Sequence, residues 1–171
     1  MASAKTYDQI AWTSLGSAAA SITFSSIAAS WTDLRLVIGN LTTSSATYPY
    51  IQYNGDTATN YSWRQLNGNG SSAASVAAQN VTKFTFLNNG ASSTTIPATI
   101  TVDIFSYADT GKYKTSLVNE AADSNGSGYI QTEIFLWRST SAITSITLNE
   151  ALGGDSFKAG STFALYGIKA A

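Results

Sequence analysis

The sequence predicts an all-β protein that folds as an antiparallel two-sheet β-sandwich. Apolar and polar residues alternate along most of the chain, and this period of two is typical of strands with one buried face. Short runs rich in Asn, Gly and Asp separate the alternating segments and supply the positive φ angles that tight hairpins need. Hydrophobic residues make up 44% of the 171 residues, enough for one sizeable core. We predict a jelly-roll-like sandwich of roughly ten or eleven strands.

The predicted strands follow one another from the N-terminal region to the C-terminal one. The clearest is "TDLRLVIGNL", where Leu34, Leu36 and Ile38 share one face while Arg35 and Val37 take the other. The others are "IAWTSL", "SITF", "YPYIQY" (48–53), "YSWRQL" (61–66), "VTKFTFL" (81–87), "ATITVDIF" (98–105), "YKTSLV" (113–118), "YIQTEIFLW" (129–137), "ITSITL" (143–148) and "STFALYGI" (161–168).

One segment favours a helix. In "SSIAASW" (25–31), Ile27 and Trp31 are four residues apart, which places them on one face of a helical turn, and a Ser precedes them as a possible cap. We predict a short helical connector at residues 25–31.

The predicted core takes the larger apolar residues from one face of each strand. Each of these side chains contributes roughly 1.5–3 kcal/mol when it is buried. The set explains why the chain ends on an apolar segment, which would be the closing strand of the sandwich. Its members are Ile22, Phe24, Leu34, Leu36, Ile38, Phe84, Phe86, Ile100, Val102, Ile104, Ile134, Leu136, Ile146, Leu148, Phe163 and Leu165.

Composition indicates one domain that carries little charge. We expect residues 1–9 to form an N-terminal arm and residues 10–171 a single sandwich domain. Charged residues are only 11% of the chain, against about 25% in an average protein. The net charge is −1, and the one short basic feature, "KYK" at 112–114, is expected to be solvated. We therefore expect neither nucleic acid nor a membrane as a partner.

Residue content disfavours catalysis. The chain has no His and no Cys, so Ser-His-Asp triads, thiolate nucleophiles and His or Cys metal sites are impossible in it. A glycosidase needs two facing carboxylates, and the candidates Asp103, Glu120, Glu133 and Glu150 fall in or beside separate predicted strands with nothing in the sequence to pair them. We predict a protein that is not an enzyme and that has no cofactor.

Two Asp-containing loops resemble calcium ligand sets but are better explained as turns. The run "DSNGSG" (123–128) lacks an acidic residue at the twelfth position of a calcium loop, where Ile134 stands. The run "NGDTATN" (54–60) offers Asn54, Asp56 and Asn60, yet its Asn-Gly pair already predicts a hairpin turn. We predict no metal site.

Four side chains are candidates for an interaction surface. Tyr61, Trp63 and Gln65 share one face of the strand "YSWRQ", which would suit packing in a core or subunit interface, or stacking on a sugar. Tyr7 is the only aromatic residue of the predicted arm, which would reach onto a neighbouring protein or else be a disordered tail.

Three segments carry a resemblance to a known group of proteins. They are "ITFSSIAASWTDLRLVIGNL" (22–41), "IQYNGDTATNYSWRQLNGNG" (51–70) and "FKAGSTFALYGIKA" (157–170). Their order resembles small tailed-phage virion proteins, including cyanophage ones. In that group a Phe strand leads through "SI..S(W/Y)TDL" into an alternating strand, an "NGD…NY" turn follows, and the chain closes on "G(S/T)…LYGI". The motifs describe a scaffold and no chemistry.

The resemblance implies a β-sandwich module on a virion. We expect a capsid decoration or cement protein, made in the host cytoplasm and seated on the outer capsid surface. The expected partners are the major capsid protein and further copies of the chain in a trimer. The alternative is a tail-fibre or appendage subunit that binds carbohydrate on a host surface, and a carbohydrate-binding module outside any virion is a third possibility.

Overall fold

The computed structural model describes residues 6–87, 93–150 and 154–169. These residues contain twelve β-strands and no helix. In chain order the strands are β1 (Tyr7–Ser14), β2 (Ser21–Phe24), β3 (Asp33–Leu41), β4 (Tyr50–Tyr53), β5 (Tyr61–Gly68), β6 (Ala73–Val81), β7 (Phe84–Thr85), β8 (Ala98–Phe105), β9 (Lys114–Asp123), β10 (Gly128–Trp137), β11 (Ile146–Asn149) and β12 (Thr162–Ile168).

The strands form two antiparallel sheets. The larger sheet has eight strands in the order β1-β12-β3-β8-β9-β10-β5-β6, and the smaller has four in the order β2-β11-β4-β7. The chain passes repeatedly from one sheet to the other, so that strands distant in sequence become neighbours. The predicted antiparallel two-sheet sandwich is confirmed, with more strands than the ten or eleven expected.

The apolar C-terminal segment is an internal strand, because β12 lies between β1 and β3 in the large sheet. Phe163 and Leu165 of β12 are fully buried, as predicted. The ring of Phe163 meets that of Phe157 edge-on, with the ring centres 5.1 Å apart. The burial of these side chains in the core explains why this segment is apolar.

Most of the predicted core residues are buried, and two of the three exceptions lie on β10. Ile22 is half-buried and packs against the core. Ile134 and Leu136 of β10 were predicted to be buried, and this is wrong: Ile134 is 50% exposed, and Leu136 is also partly exposed. Both side chains point away from the core, onto the outer face of the large sheet.

Aromatic packing explains the orientation of β10. Phe135 and Trp137 face inward, where Phe135 stacks on Phe84 with ring centres 4.3 Å apart. Tyr53 contacts both inward residues, at 5.5 Å from Phe135 and 5.7 Å from Trp137 between ring centres. Because side chains alternate along a strand, burying these two rings turns Ile134 and Leu136 outward.

The predicted helical connector at 25–31 is wrong. The segment is irregular, and Ser26 has a φ of 57°, a left-handed conformation that interrupts a right-handed helix. Tyr107 holds the segment instead: its hydroxyl donates a hydrogen bond to the carbonyl of Ala28 and accepts one from the N–H of Trp31 at 3.3 Å. These tertiary hydrogen bonds replace the ones that a helix would form.

The first strand begins inside the predicted N-terminal arm. Residues 7–9 belong to β1 and pair with β12, with Tyr7 opposite Ile168 and Gln9 opposite Tyr166. The predicted boundary at residue 9 therefore falls within a strand. Residues 1–5 lie outside the described residues.

Strand β6 was not predicted at all. Its sequence, "AASVAAQNV", consists mostly of small residues and lacks alternation between large apolar and polar side chains. It is the edge strand beside β5, and most of its residues are exposed on both faces. A strand that buries little apolar surface has no alternating hydrophobic pattern in its sequence. Residues 73–81 form a strand because they pair with β5.

We predict that Gly167→Ala destabilises the fold. Gly167 lies in β12 against Trp31, and an added Cβ would fall 2.3 Å from atoms of the indole ring. Relieving this overlap would cost about 1–3 kcal/mol of unfolding free energy, measurable by urea denaturation. Gly16→Ala is the control, since no heavy atom lies within 4 Å of the position that its added methyl group would take. Equal stability of the two variants would contradict the packing of Trp31 on Gly167.

Candidate functional site

The three predicted surface residues of β5 face the interior. Tyr61 and Gln65 are buried, and Trp63 is half-buried and packs against the core. The Tyr61 hydroxyl accepts a hydrogen bond from the N–H of Tyr53 at 3.0 Å and donates to the carbonyl of Asp56 at 3.2 Å. Tyr61 and Gln65 therefore pack in the core, one of the roles considered for this face, and they are not exposed for stacking on a sugar.

Tyr7 is exposed on the outer face of the large sheet. Its ring stacks on that of Tyr166, with 4.8 Å between ring centres. Trp12 is 56% exposed on the same strand, opposite Ala164 of β12. Tyr166 and Ala164 are two residues apart, so all these side chains share the outer face.

The inner face of β5, β9 and β10 contains a buried polar network. Glu120 and Glu133 are 2% and 1% exposed. The side-chain amide of Gln131 donates to Glu133 Oε1 at 2.8 Å and to Glu120 Oε1. Glu120 Oε2 accepts the N–H of Leu87 at 2.9 Å, and Gln65 Nε2 donates to Gln131 Oε1 at 2.9 Å. The fold thus brings together two carboxyls that nothing in the sequence paired.

Both carboxyls favour the protonated state more than an exposed carboxyl does. Burial raises the pKa of both above the ordinary value of 4.5, because water no longer stabilises the charged forms. The charge of Glu120 raises the pKa of Glu133 further, while hydrogen bonds from the Gln131 amide and the N–H of Leu87 partly lower the pKa of Glu120. The pair is enclosed in the core, so this geometry does not provide a substrate with two accessible catalytic carboxylates.

Lys114 was expected to be solvated as part of "KYK", and this is wrong. Its side chain is fully buried, and its ammonium donates to the backbone carbonyls of Asp109, Lys112 and Thr140, the last two at 2.8 and 3.3 Å. Burial lowers the pKa of Lys114, an effect that the charge of Asp109 opposes. The residue ties the turn before β9 to residue 140.

The two Asp-containing loops are hydrogen-bonded turns. Asp56 accepts hydrogen bonds from the Asn60 amide at 2.8 Å, the Trp137 indole at 2.7 Å and the N–H of Ala58 at 2.9 Å. Burial works to raise the pKa of Asp56, but these hydrogen bonds outweigh it and lower the pKa. Asp123 accepts the N–H of Asn125 at 2.9 Å. The hydrogen bonds within each loop fit the predicted turns.

The outer face of the large sheet presents the main apolar surface. We call the exposed side chains of Leu66, Phe105, Leu117, Ile130 and Ile134 the outer apolar surface. They come from the neighbouring strands β8, β9, β10 and β5, and Ile130 is 68% exposed. The sequence signal that could have identified it is the aromatic pair Phe135 and Trp137, whose burial turns the isoleucines outward.

A shallow groove of about 490 Å³ runs within this surface. Leu66 and Ile130 flank it, and its floor includes the small residues Gly68, Ala73 and Ala121. Ile130 lies directly opposite Gly68 on one side and Ala121 on the other. The groove forms because large side chains stand beside small ones. It suits an apolar side chain of a binding partner better than a charged group.

Charge is scarce around the outer apolar surface. Arg35 and Asp103 neutralise each other through two hydrogen bonds, of 2.5 and 2.8 Å, between β3 and β8. Arg64 lies opposite Ile134. Among the ion pairs of the described residues none involves Arg64, so it is an uncompensated charge next to this surface.

The described ranges contain no group of three or more Asp, Glu, His or Cys residues that could hold a metal ion, and no helix long and apolar enough to cross a membrane.

Comparison with protein-family models, curated proteins and solved structures finds no match to this chain. The outer apolar surface is thus the strongest functional feature of the described residues.

We predict that the unfolding free energy falls as pH rises from 5 to 9. Glu120 and Glu133 have raised pKa values in the folded state, so between pH 4.5 and those values the folded protein binds more protons than the unfolded one. Raising the pH then favours unfolding, by about 1.4 kcal/mol for each unit of pKa elevation. Urea denaturation at pH 5, 7 and 9 measures the trend.

Glu133→Gln isolates the buried pair. The amide can still donate to Glu120 but cannot ionise, so the decline with pH should become shallower. Asp123→Asn removes an exposed carboxyl and is the control. A Glu133→Gln variant with the same pH slope as the unmodified protein would contradict the raised pKa of Glu133.

Proposed function

We propose that this protein is a virion structural protein of the capsid decoration or cement type, which binds the outer capsid shell and stabilises it through protein–protein contacts. The observation that carries the proposal is the outer apolar surface. Five large apolar side chains exposed on four neighbouring strands are characteristic of a surface that another protein covers.

The chemistry of the surface supports a shell partner. A protein surface that binds through shape complementarity needs apolar contacts and hydrogen-bonding side chains. It should carry few charged groups, because removing charges from water is unfavourable. Thr132 and Asn119 lie between the apolar residues and hydrogen-bond to each other at 3.0 Å. A partner with a matching apolar ridge would fill the groove beside Ile130 and displace water from it.

A second candidate function is that of a tail-fibre or appendage subunit that binds carbohydrate on a host surface. It is favoured by Trp12, which is exposed on the outer face of β1, on the side of the sheet that also carries the stacked Tyr7 and Tyr166. Flat aromatic rings of this kind stack on sugars. Tyr61 and Gln65 of β5 are buried and do not support this role.

The location of the protein in the particle distinguishes the two functions. We expect cryo-electron microscopy of intact particles to show its density at symmetric positions over the shell. Density confined to the tail or its fibres would overturn the cement proposal in favour of the appendage, and glycan-array binding that depends on Trp12 would then be expected. Particles without this density would overturn both.

We predict that replacing Ile130 and Ile134 together with Glu prevents attachment to the shell. The two charges would have to be desolvated at the interface, and occupancy on particles assembled without the protein should fall by roughly tenfold or more. Glu at position 134 would face Arg64, so the variant should still fold. Tyr113→Glu, at a 55% exposed aromatic residue outside the surface, is the matched control. Unchanged occupancy of a folded double variant would contradict this binding face.

A further inference from the structure

Strand β6 has one unpaired edge. It is the last strand of the large sheet, so only β5 pairs with it. None of the backbone hydrogen bonds outside the sheets, within the described ranges, involves residues 73–81. A row of N–H and C=O groups therefore faces outward along this strand, and such a row is a template for pairing with another strand.

The edge lacks the features by which proteins prevent such pairing. Residues 73–81 include no charged residue and no Pro, and their register with β5 is regular from Ala73 to Gln79. The opposite edge strand, β1, carries Asp8 and has an irregularity between Gln9 and Ala11. Charges and bulges block edge pairing, so β1 is protected and β6 is not.

We propose that β6 pairs antiparallel with β6 of a second copy of this chain, about a two-fold axis at Val76. The occupant is a second copy because the edge is complementary to itself. A two-fold axis brings each β6 residue of one copy opposite a β6 residue of the other copy. A charged residue on β6 would therefore lie opposite or close to the same charge in the second copy. An uncharged strand avoids this repulsion.

The regular segment Ala73–Gln79 sets the register. Its centre is Val76, which would meet Val76 of the second copy, while Ser75 would lie opposite Ala77 and Ala73 opposite Gln79. Val76 is 41% exposed in the single chain, and the contact between the two valines would bury both. The small flanking residues let the two edges approach to hydrogen-bonding distance.

The dimer would join the two large sheets edge to edge. An axis perpendicular to the sheet keeps both outer faces on the same side, so the outer apolar surfaces of the two copies become one extended surface. The dimer does not depend on the proposed function, since it can be tested without a virion. It differs from the trimer implied by the resemblance, because an isologous interface closes at two copies.

Oligomeric state is the first test. In sedimentation equilibrium at micromolar concentrations, the full chain should have twice the 18.0 kDa mass of one copy. A monomer across this range, or a trimer, would overturn the proposal.

Charge substitution at the axis is the second test. Val76→Lys places two ammonium groups opposite each other, and the dissociation constant should rise by roughly tenfold or more. Val76→Glu should have the same effect, and an equimolar mixture of the two variants should restore a dimer containing one of each. Restoration by mixing also shows that both variants fold.

Gln9→Lys is the matched control, because it adds the same charge to an exposed position on the opposite edge strand. It should leave the dimer intact. A dimer that survives both Val76→Lys and Val76→Glu, or one that Gln9→Lys dissociates, would place the interface elsewhere and overturn the proposal.

Discussion

The aromatic contacts of Phe135 and Trp137 with Tyr53 and Phe84 determine how the large sheet is oriented around the core. Aromatic side chains bury about 150–250 Å² each, more than the isoleucines that compete for the same strand. Because β10 has only two faces, burying the rings decides the position of every other side chain on it. The burial of Glu133 and the exposure of Ile130 and Ile134 both follow from this choice.

When Phe135 and Trp137 face inward, Gln131 and Glu133 lie on the same face of β10 and are buried with them. A carboxyl removed from water is unfavourable unless it is neutralised or hydrogen-bonded. The fold meets both conditions in part, because the raised pKa values favour the neutral carboxyls and the Gln131 amide donates to both Glu120 and Glu133. The compensation is incomplete, since Gln65 Oε1 and Glu133 Oε2 have no hydrogen-bond partner among the described residues. This network is a pH-sensitive part of the core.

The large sheet has two surfaces suited to protein contacts. Its outer face combines large exposed apolar residues with very few charges, and its β6 edge presents unpaired backbone groups on a strand without charged residues. The low charge content of the whole chain is consistent with both. Contacts of this kind depend on shape and on many weak interactions, which leave no motif in a sequence. A partner would be recognised by complementarity to the sheet and not by a catalytic or ligand-binding constellation.

The alternation of residues by itself determined that this chain is an antiparallel β-sandwich, because the period of a strand is local. It also determined most of the core, including Leu34, Leu36 and Phe163, whose strands have one clearly apolar face. Tertiary structure decided the rest. In β10 both faces carry large apolar residues, so only the neighbouring Tyr53 and Phe84 select the buried one. Strand β6 and the irregular segment at 25–31 likewise depend on distant partners, β5 and Tyr107, that local sequence does not encode.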